Sequence, residues 1–163
     1  MTKQQAAPTP AIQALKDVGV NFRVHTFEPG EDHFGKHAAE ALQVPSEQVF
    51  KTLVMQLATR QGSQLAVACV PVSAKLNLKA AAKALGAKKA EMADPHHASV
   101  STGYVPGGIS PLGQKRKLNT VIDASAFEHQ QIFVSGGRRG LDIALSPTDL
   151  QALLDARVAD IQA

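Results

Sequence analysis

The sequence places one lysine on the apolar face of a predicted strand, within Val49-Phe50-Lys51-Thr52-Leu53-Val54-Met55. Because side chains alternate along a strand, Lys51 shares a face with Val49, Leu53 and Met55. Such a lysine either extends its ammonium group past the edge of the sheet, which is the more common outcome, or serves a binding site. In the second case its cation could bind a phosphate, a ribose hydroxyl or a developing oxyanion.

A long connection between residues 101 and 117 is the second candidate for chemistry. It contains four glycines and two prolines, includes the only tyrosine, and ends in Lys115-Arg116-Lys117. Glycines allow close approach of the backbone to a ligand, and prolines restrict the backbone. Loops of this length are usually functional or disordered, and the apolar residues argue against disorder. We interpret it as a rigid binding loop, with a plain surface loop as the alternative.

A second glycine cluster, residues 136–140, contains Arg138 and Arg139 and is followed by Asp142 in a predicted strand. The carboxylate of Asp142 could hold an amino group or a ribose hydroxyl, although a solvent-facing carboxylate is the interpretation that the pattern alone favours. Basic residues beside glycine loops suit a phosphate-bearing partner. For each basic cluster taken alone, a solvated surface is the simpler explanation.

Other reactive residues form no recognisable catalytic set. His33 and His37 have helical ligand spacing, but no HExxH pattern or cysteine pair accompanies them, so we expect no metal. Cys69 falls in an alternating apolar strand and is predicted to be a core residue. The chain has no G-x-S-x-G elbow and no Ser/His/Asp set. An activated protein nucleophile is therefore not indicated, and no cofactor is expected.

The composition is typical of a globular domain. The chain has 163 residues, 44% of them hydrophobic and 19% charged, and a net charge of +3. We predict a flexible segment over residues 1–8 and a single domain over residues 9–163. No apolar run approaches the ~20 residues of a membrane span, and the start lacks a signal-peptide core. With one cysteine, these features predict a cytoplasmic protein without a membrane partner.

Helix start signals occur at four places in the chain. They are Thr9-Pro10, Asn77, Asp94-Pro95 and Ser146-Pro147, where a side-chain acceptor precedes the first turn. A further short helix is predicted over residues 36–42. Strands are predicted near residues 20–27, 49–58, 64–71, 91–93, 120–123, 131–134, 141–145 and 158–161. Because strands occur both as a hairpin around Gly62 and after helices, the pattern predicts an α+β fold with a mixed sheet.

Six segments between residues 50 and 142 occur together in one known family, and the likeness as a whole runs from about Thr9 to Ile161. They are FKTL at 50–53, KAAAKALGAKKAEM at 79–92, ADP at 93–95, STGY at 101–104, GGISPLGQK at 107–115 and SGGRRGLD at 135–142. In combination they resemble the YbaK family of bacterial Cys-tRNA(Pro) deacylases. The resemblance implies a largely antiparallel, curled sheet flanked by helices, as in the editing insertion of bacterial prolyl-tRNA synthetases.

The resemblance also implies an activity, which is hydrolysis in trans of the ester in tRNA(Pro) mischarged with cysteine, with Cys-tRNA(Cys) as a further candidate substrate. The family mechanism is substrate-assisted, with the cysteine thiol attacking its own ester, which requires mainly positioning and oxyanion stabilisation. A complex of prolyl-tRNA synthetase with tRNA is the implied partner. Alternatives that stay open are an Ala-tRNA(Pro) deacylase and a non-catalytic module that binds tRNA or the synthetase.

Site residues follow from matching the family motifs to this chain. Lys51 matches the essential lysine, which anchors the 3′-terminal nucleotide or the ester oxygens, and Gly107 begins a GxxxP motif whose backbone approaches the aminoacyl group. The other residues expected to bind substrate are Phe27, Phe34, Gly108, Ser110, Pro111 and Asp142. Phe27 stands where the family often has tyrosine, so it keeps the ring without the hydroxyl. The residues expected to face the acceptor stem are Lys115, Arg116, Lys117, Arg138 and Arg139.

Overall fold

The structure is a computed structural model that describes residues 8–31 and 33–163. The predicted flexible segment over residues 1–8 therefore lies almost entirely outside the described residues. The helices of the described part are α1 (Pro10–Val18), α2 (Phe34–Leu42), α3 (Leu78–Ala84), α4 (Pro95–Thr102) and α5 (Pro147–Leu154). The strands are β1 (Phe22–Thr26), β2 (Phe50–Thr59), β3 (Gly62–Pro71), β4 (Lys89–Met92), β5 (Asn119–Asp123), β6 (Ile132–Arg138), β7 (Leu141–Leu145) and β8 (Arg157–Ala159).

Local capping explains where most helices begin. The side chains of Thr9, Asn77, Asp94 and Ser146 each accept a hydrogen bond from a backbone N–H in the first turn of α1, α3, α4 and α5, respectively. These four predicted starts are therefore confirmed. In each of them the cap side chain satisfies a backbone donor that the helix itself leaves free. Helix α2 begins at Phe34 rather than at Lys36 and has no side-chain cap, so the sequence carried no cap signal for its start.

The strands form two sheets rather than one. Strands β1, β7 and β6 make an antiparallel three-stranded sheet, and β4, β2, β3, β5 and β8 lie in that order in a mixed five-stranded sheet. The predicted β2–β3 hairpin is confirmed, with Thr59 paired to Gly62 at its turn. β5 and β8 run parallel to their neighbours. A parallel bridge between Val49 and Phe133 joins the two sheets. The predicted mixed α+β architecture is confirmed, but its strands form two sheets where one was expected.

From Ala66 onward strand β3 is buried on both faces, which explains the nearly continuous apolar sequence of that part. Val67 and Cys69 pack towards α1 and the three-stranded sheet, whereas Ala66, Ala68 and Val70 pack towards α3. A third apolar cluster joins α2 to the point where the sheets meet, and it contains Ala38, Ala39, Val49, Phe133 and Ala144. Ala38 and Val49 of this cluster also line the candidate site described below, so the cluster forms part of its wall.

The long loop after α4 is tied to the fold at several points. Tyr104 is buried and its hydroxyl donates to the carbonyl of Leu112 at 2.6 Å. Gly113 packs against the backbone of Pro10, where a Cβ would not fit. These contacts confirm the prediction that the loop is ordered. No helix in the described part of the chain is long and apolar enough to cross a membrane.

Candidate active site

A cavity of about 200 Å³ opens between α2, the start of β2, the glycine loop and the β6–β7 hairpin. This volume is below the ~300–1,000 Å³ of pockets for drug-sized ligands, so it suits a small group. The residues that line it are Phe27, Pro29, Gly30, Phe34, Gly35, His37, Ala38, Val49, Phe50, Lys51, Thr52, Leu53, Val72, Gly107, Ile109, Ser135, Arg138, Arg139, Gly140 and Asp142.

Lys51 lies in the cavity wall at the second residue of β2, with Leu53 on the same face. It is half-buried, and burial lowers the pKa of its ammonium group, with the positive charge of Lys75 lowering it further. A partly desolvated cation gains more from a bound anion than one in bulk water does. Lys51 therefore lies where its ammonium group could serve the cavity, which is the second of the two possibilities that the sequence left open.

Asp142 lies in the same cavity wall and is only 7% exposed. The interpretation of a solvent-facing carboxylate, favoured by the pattern alone, is therefore wrong. Burial raises the pKa of Asp142 from 3.8 to about 7, because a carboxylate loses hydration when it is enclosed. Near neutral pH this group is consequently divided between a neutral acid, which can donate a hydrogen bond, and an anion, which can bind an ammonium group.

Three polar residues stand in a row across the three-stranded sheet. In β7, Asp142 pairs with His25 of β1 on one side and with Ser135 of β6 on the other. Neighbouring strands are ~4.8 Å apart, so the backbones at His25 and Ser135 are separated by about 10 Å. The order of a catalytic triad requires the histidine between the other two residues. The aspartate lies in the middle here, and no hydrogen bond joins His25 to Ser135 among the described residues, so this row does not have the order of a triad.

Other hydroxyl and thiol groups near the cavity are also poorly placed for nucleophilic attack. The hydroxyl of Ser135 accepts a hydrogen bond from the backbone N–H of Gly137 at 3.1 Å. Thr52 has a buried hydroxyl oxygen with no hydrogen-bond partner in the described part of the chain, so no base is in position to take its proton. Cys69 is fully buried, as the sequence predicted for a core residue, and burial raises its pKa to about 12. A neutral, enclosed thiol is a poor nucleophile.

Gly107 lies where the glycine loop meets α2. Its φ is +84°, and a Cβ at this position would lie 2.6 Å from the ring of Phe34 and 2.8 Å from Nε of Arg139. Arg139 stacks on the ring of Phe34, with 4.4 Å between the guanidinium carbon and the ring centroid. The glycine thus permits a close contact of the loop with one wall of the cavity.

Three other residues of the loop, all expected to bind substrate, do not line the cavity. Gly108 lies against the backbone of Arg138, where a Cβ would be 2.7 Å from the Cα of that arginine. The hydroxyl of Ser110 is enclosed and accepts a hydrogen bond from the N–H of Leu112 at 3.2 Å. Pro111 is buried as well. These three residues pack within the protein and support the loop, while Gly107 and Ile109 line the cavity.

The predicted basic residues divide between two places. Arg138 and Arg139 line the cavity, whereas Lys115, Arg116 and Lys117 lie at the far end of the loop. Arg116 and Lys117 line a separate groove, together with Gln56, Ser63, Gln64, Leu65, His97, Ser101, Leu118 and Asn119. Among the described residues, no carboxylate lines this groove, so its electrostatic character is positive.

Several cavity residues were not identified from the sequence. His37 holds the loop beneath the cavity, with its Nε2 2.6 Å from the carbonyl oxygen of Glu28 and its ring 6.0 Å from that of Phe27. Its only sequence signal was its helical spacing from His33, and no metal was expected there. Ser135 and Ile109 stand inside recognised motifs, but no local pattern distinguishes them from their neighbours.

Comparison with known proteins defines the class to which this fold and cavity belong. Residues 32–153 match the aminoacyl-tRNA editing domain family. The chain belongs to this family and is an aminoacyl-tRNA editing deacylase, which confirms the predicted family and enzyme class.

Individual relatives narrow the comparison. The chain is 34% identical over 160 residues to an Enterococcus faecalis protein assigned as a Cys-tRNA(Pro)/Cys-tRNA(Cys) deacylase, covering 98% of this chain and 96% of the relative. A crystal structure of a protein assigned as a trans-editing enzyme for prolyl tRNA synthetase superposes with a TM-score of 0.81 at 25% identity, covering 94% of this chain and 95% of that one. A hypothetical protein at 22% identity shares the fold, with a TM-score of 0.84 over 95% of this chain and all of that one.

Proposed function

We propose that this protein edits in trans and releases cysteine from Cys-tRNA(Pro), with Cys-tRNA(Cys) as a second substrate. The assignments of the Enterococcus faecalis relative and of the trans-editing structure support this substrate class. The physical need is general. Small apolar differences are worth only ~1–3 kcal/mol in a synthetase pocket, so a synthetase for proline requires a second site to remove cysteine.

We further propose that the thiol of the substrate is the nucleophile. The observation that carries this proposal is the lack of an activated nucleophile among the described residues of the cavity wall. Among the described residues the hydroxyl of Ser135 has no hydrogen bond to an imidazole: Asp142 lies between it and His25 in the sheet, and the His37 ring contacts the carbonyl oxygen of Glu28. An intramolecular attack requires from the protein mainly a correct conformation and a stabilised oxyanion.

The proposed reaction has two balanced steps. The cysteine sulfur forms a bond to its own ester carbonyl carbon, the bond from that carbon to the ribose oxygen breaks, and the thiol proton ends on the ribose hydroxyl. The products are free tRNA and a four-membered cyclic thioester of cysteine. Water then opens this strained thioester and gives free cysteine, so the net reaction consumes one water molecule.

Four side chains have distinct roles in this proposal. The ammonium group of Lys51 stabilises the negative charge that develops on the carbonyl oxygen or binds the terminal nucleotide. Asp142, whose pKa is about 7, binds the α-amino group when it is ionised. Phe27 and Phe34 enclose the aminoacyl group, and the backbone at Gly107 contacts the same group from the glycine loop.

The body of the tRNA is proposed to bind outside the cavity. In this proposal Arg138 at the cavity binds the terminal phosphates, and Lys115, Arg116 and Lys117 bind the acceptor stem, the last two from the positive groove. Phosphate contacts of this kind position a nucleic acid without reading its sequence. We propose that prolyl-tRNA synthetase presents the tRNA in a ternary complex in the cytoplasm, where aminoacylated tRNA is used.

A deacylation panel tests the proposal. Wild type, Lys51→Ala and the control Lys16→Ala, which removes an exposed lysine of α1, are each mixed with tRNA(Pro) carrying cysteine, alanine, serine or proline. We expect rapid release of cysteine by wild type and by the control, and almost none by Lys51→Ala. Serine should stay attached, because its hydroxyl is a much weaker nucleophile than a thiol.

Each contrary outcome has a defined meaning. Rapid serine release would overturn the thiol mechanism and indicate attack by water. Preferential alanine release would replace the proposed substrate with Ala-tRNA(Pro). Full activity of Lys51→Ala would remove the role proposed for Lys51.

A further inference from the structure

Arg139 connects three segments around the mouth of the cavity. Its Nε donates a hydrogen bond to the carbonyl of Pro106 at 2.8 Å, and its guanidinium group stacks on Phe34 with 4.4 Å from its carbon to the ring centroid. Pro106 belongs to the glycine loop, Phe34 begins α2, and Arg139 lies in the β6–β7 turn. One side chain therefore links a loop, a helix and a hairpin that are distant in sequence.

The backbone of the same turn completes this junction. Gly108 lies so close to the turn that a Cβ would be 2.7 Å from the Cα of Arg138 and 2.9 Å from the nitrogen of Arg139. Gly107 is exposed, but a Cβ on it would be within 3 Å of both the Phe34 ring and the Arg139 side chain. The position of the glycine loop beside the cavity thus depends on close contacts of Gly107 and Gly108 with the β6–β7 turn and Phe34. It also depends on the hydrogen bond and the stacking contact of the Arg139 side chain.

We propose that Arg139 is a positioning residue that fastens the glycine loop to Phe34 and thereby sets the size of the cavity. This differs from the contact with nucleic acid that the sequence predicted, because Nε and one face of the exposed guanidinium group are already used within the protein. Its role in selectivity rests on the proposed function: a loosened loop leaves a wider cavity, which accepts larger aminoacyl groups such as proline.

The chemistry of arginine makes the proposal testable. A lysine keeps the positive charge, but it has neither the Nε–H of a guanidinium group nor a planar surface that stacks on a ring. If Arg139 only neutralised a phosphate, Arg139→Lys would retain most of the activity. If Arg139 fastens the loop, Arg139→Lys would behave like the neutral variant Arg139→Gln.

The first measurement is hydrogen exchange of the free protein, and it requires no substrate. We expect backbone amides within residues 104–110 to exchange faster in Arg139→Lys and Arg139→Gln than in wild type. The matched control is Arg60→Lys, an exposed arginine in the β2–β3 turn that lines neither the cavity nor the groove. Unchanged exchange in Arg139→Lys would overturn the proposal. This readout stands even if wild type releases no cysteine, so the two proposals can fail separately.

The second measurement is kinetic. For both Arg139 variants we expect kcat/KM for Cys-tRNA(Pro) to fall roughly ten- to hundredfold, because small misplacements of reacting groups have effects of this size. The ratio of prolyl to cysteinyl release should rise, and the salt dependence of kcat/KM should equal that of wild type. Normal activity in Arg139→Lys with loss only in Arg139→Gln would overturn the proposal in favour of a phosphate contact.

Discussion

The hydroxyl of Tyr104 donates a 2.6 Å hydrogen bond to the backbone carbonyl of Leu112, which closes the glycine loop across eight residues. Both residues are buried. Burial raises the pKa of Tyr104 to about 12, and a hydrogen bond with the backbone of Ala11 offsets only part of that increase. The phenol therefore stays neutral and continues to donate its hydrogen bond to the carbonyl. This bond holds together the two ends of the loop that carries Gly107, next to α1.

Removal of the Tyr104 hydroxyl should weaken the attachment of the loop and lower the stability of the protein. In Tyr104→Phe the buried carbonyl of Leu112 loses its donor, and we expect the free energy of unfolding to fall by about 1–3 kcal/mol. Urea denaturation followed by far-UV circular dichroism measures this change. Val105→Ala, at the exposed neighbouring position, should leave the midpoint nearly unchanged. Equal midpoints for wild type and Tyr104→Phe would show that the hydrogen bond does not stabilise the loop.

A pair of glycine substitutions separates backbone strain from contact at the cavity. Gly107 and Gly86 have φ values of +84° and +72°, but a Cβ at Gly86 meets nothing within 4 Å. Alanine at either site should cost about 1–2 kcal/mol of stability for its left-handed backbone. Only Gly107→Ala must also displace Phe34 and Arg139.

We therefore expect deacylation to fall roughly a hundredfold in Gly107→Ala and to stay normal in Gly86→Ala. Initial rates with Cys-tRNA(Pro), measured beside thermal unfolding of both variants, provide the comparison. If both variants lose activity equally, general destabilisation rather than the contact with Phe34 explains the loss.

The raised pKa of Asp142 predicts a dependence of stability on pH. Its pKa is about 7 in the folded protein against an ordinary value of 3.8, so the folded state binds more protons than the unfolded state between these values. The contribution of Asp142 to stability is consequently full below about pH 4, falls as pH rises towards 7, and is constant above that.

Asp142→Asn removes this titration without changing the shape of the side chain. We expect the free energy of unfolding of Asp142→Asn, relative to wild type, to rise between pH 4 and pH 8 by up to about 4 kcal/mol. Urea denaturation at a series of pH values measures the difference. A difference that does not change with pH would mean that Asp142 titrates normally in the folded protein.

The positive groove predicts a dependence of tRNA binding on salt. Replacement of Arg116 and Lys117 by glutamine should weaken binding and reduce the slope of log K against log salt by about 1 for each phosphate contact that is lost. The control replaces Lys88 and Lys89, an exposed pair outside the groove, and makes the same change in net charge. Filter binding of uncharged tRNA(Pro) measures the slopes. Equal slopes in the two double variants would locate the tRNA elsewhere.

Features that depend on nearby residues could be predicted from the sequence. The caps at Thr9, Asn77, Asp94 and Ser146 and the hairpin turn at Gly62 are interactions within a few residues. The alternation that placed Lys51 on the apolar face of β2 is likewise local. Family motifs then pointed to the correct class of enzyme, because motif residues are spaced along the chain in a recognisable order.

The cavity itself depends on contacts between segments far apart in the chain. The pattern around Asp142 suggested exposure, because alternation shows which side chains share a face but not what covers that face. Ser110 and Pro111 belong to the same motif as Gly107, yet the folded loop directs only part of the motif to the cavity.

The sequence by itself determined the four capped helix starts, the hairpin and the family. Only the tertiary structure decided that Asp142 is buried, that it separates Ser135 from His25, and that Arg139 reaches Phe34 and the glycine loop. The physical reason is that burial, pKa and stacking depend on which segments pack together. That packing is a property of the whole core and not of any local spacing of residues.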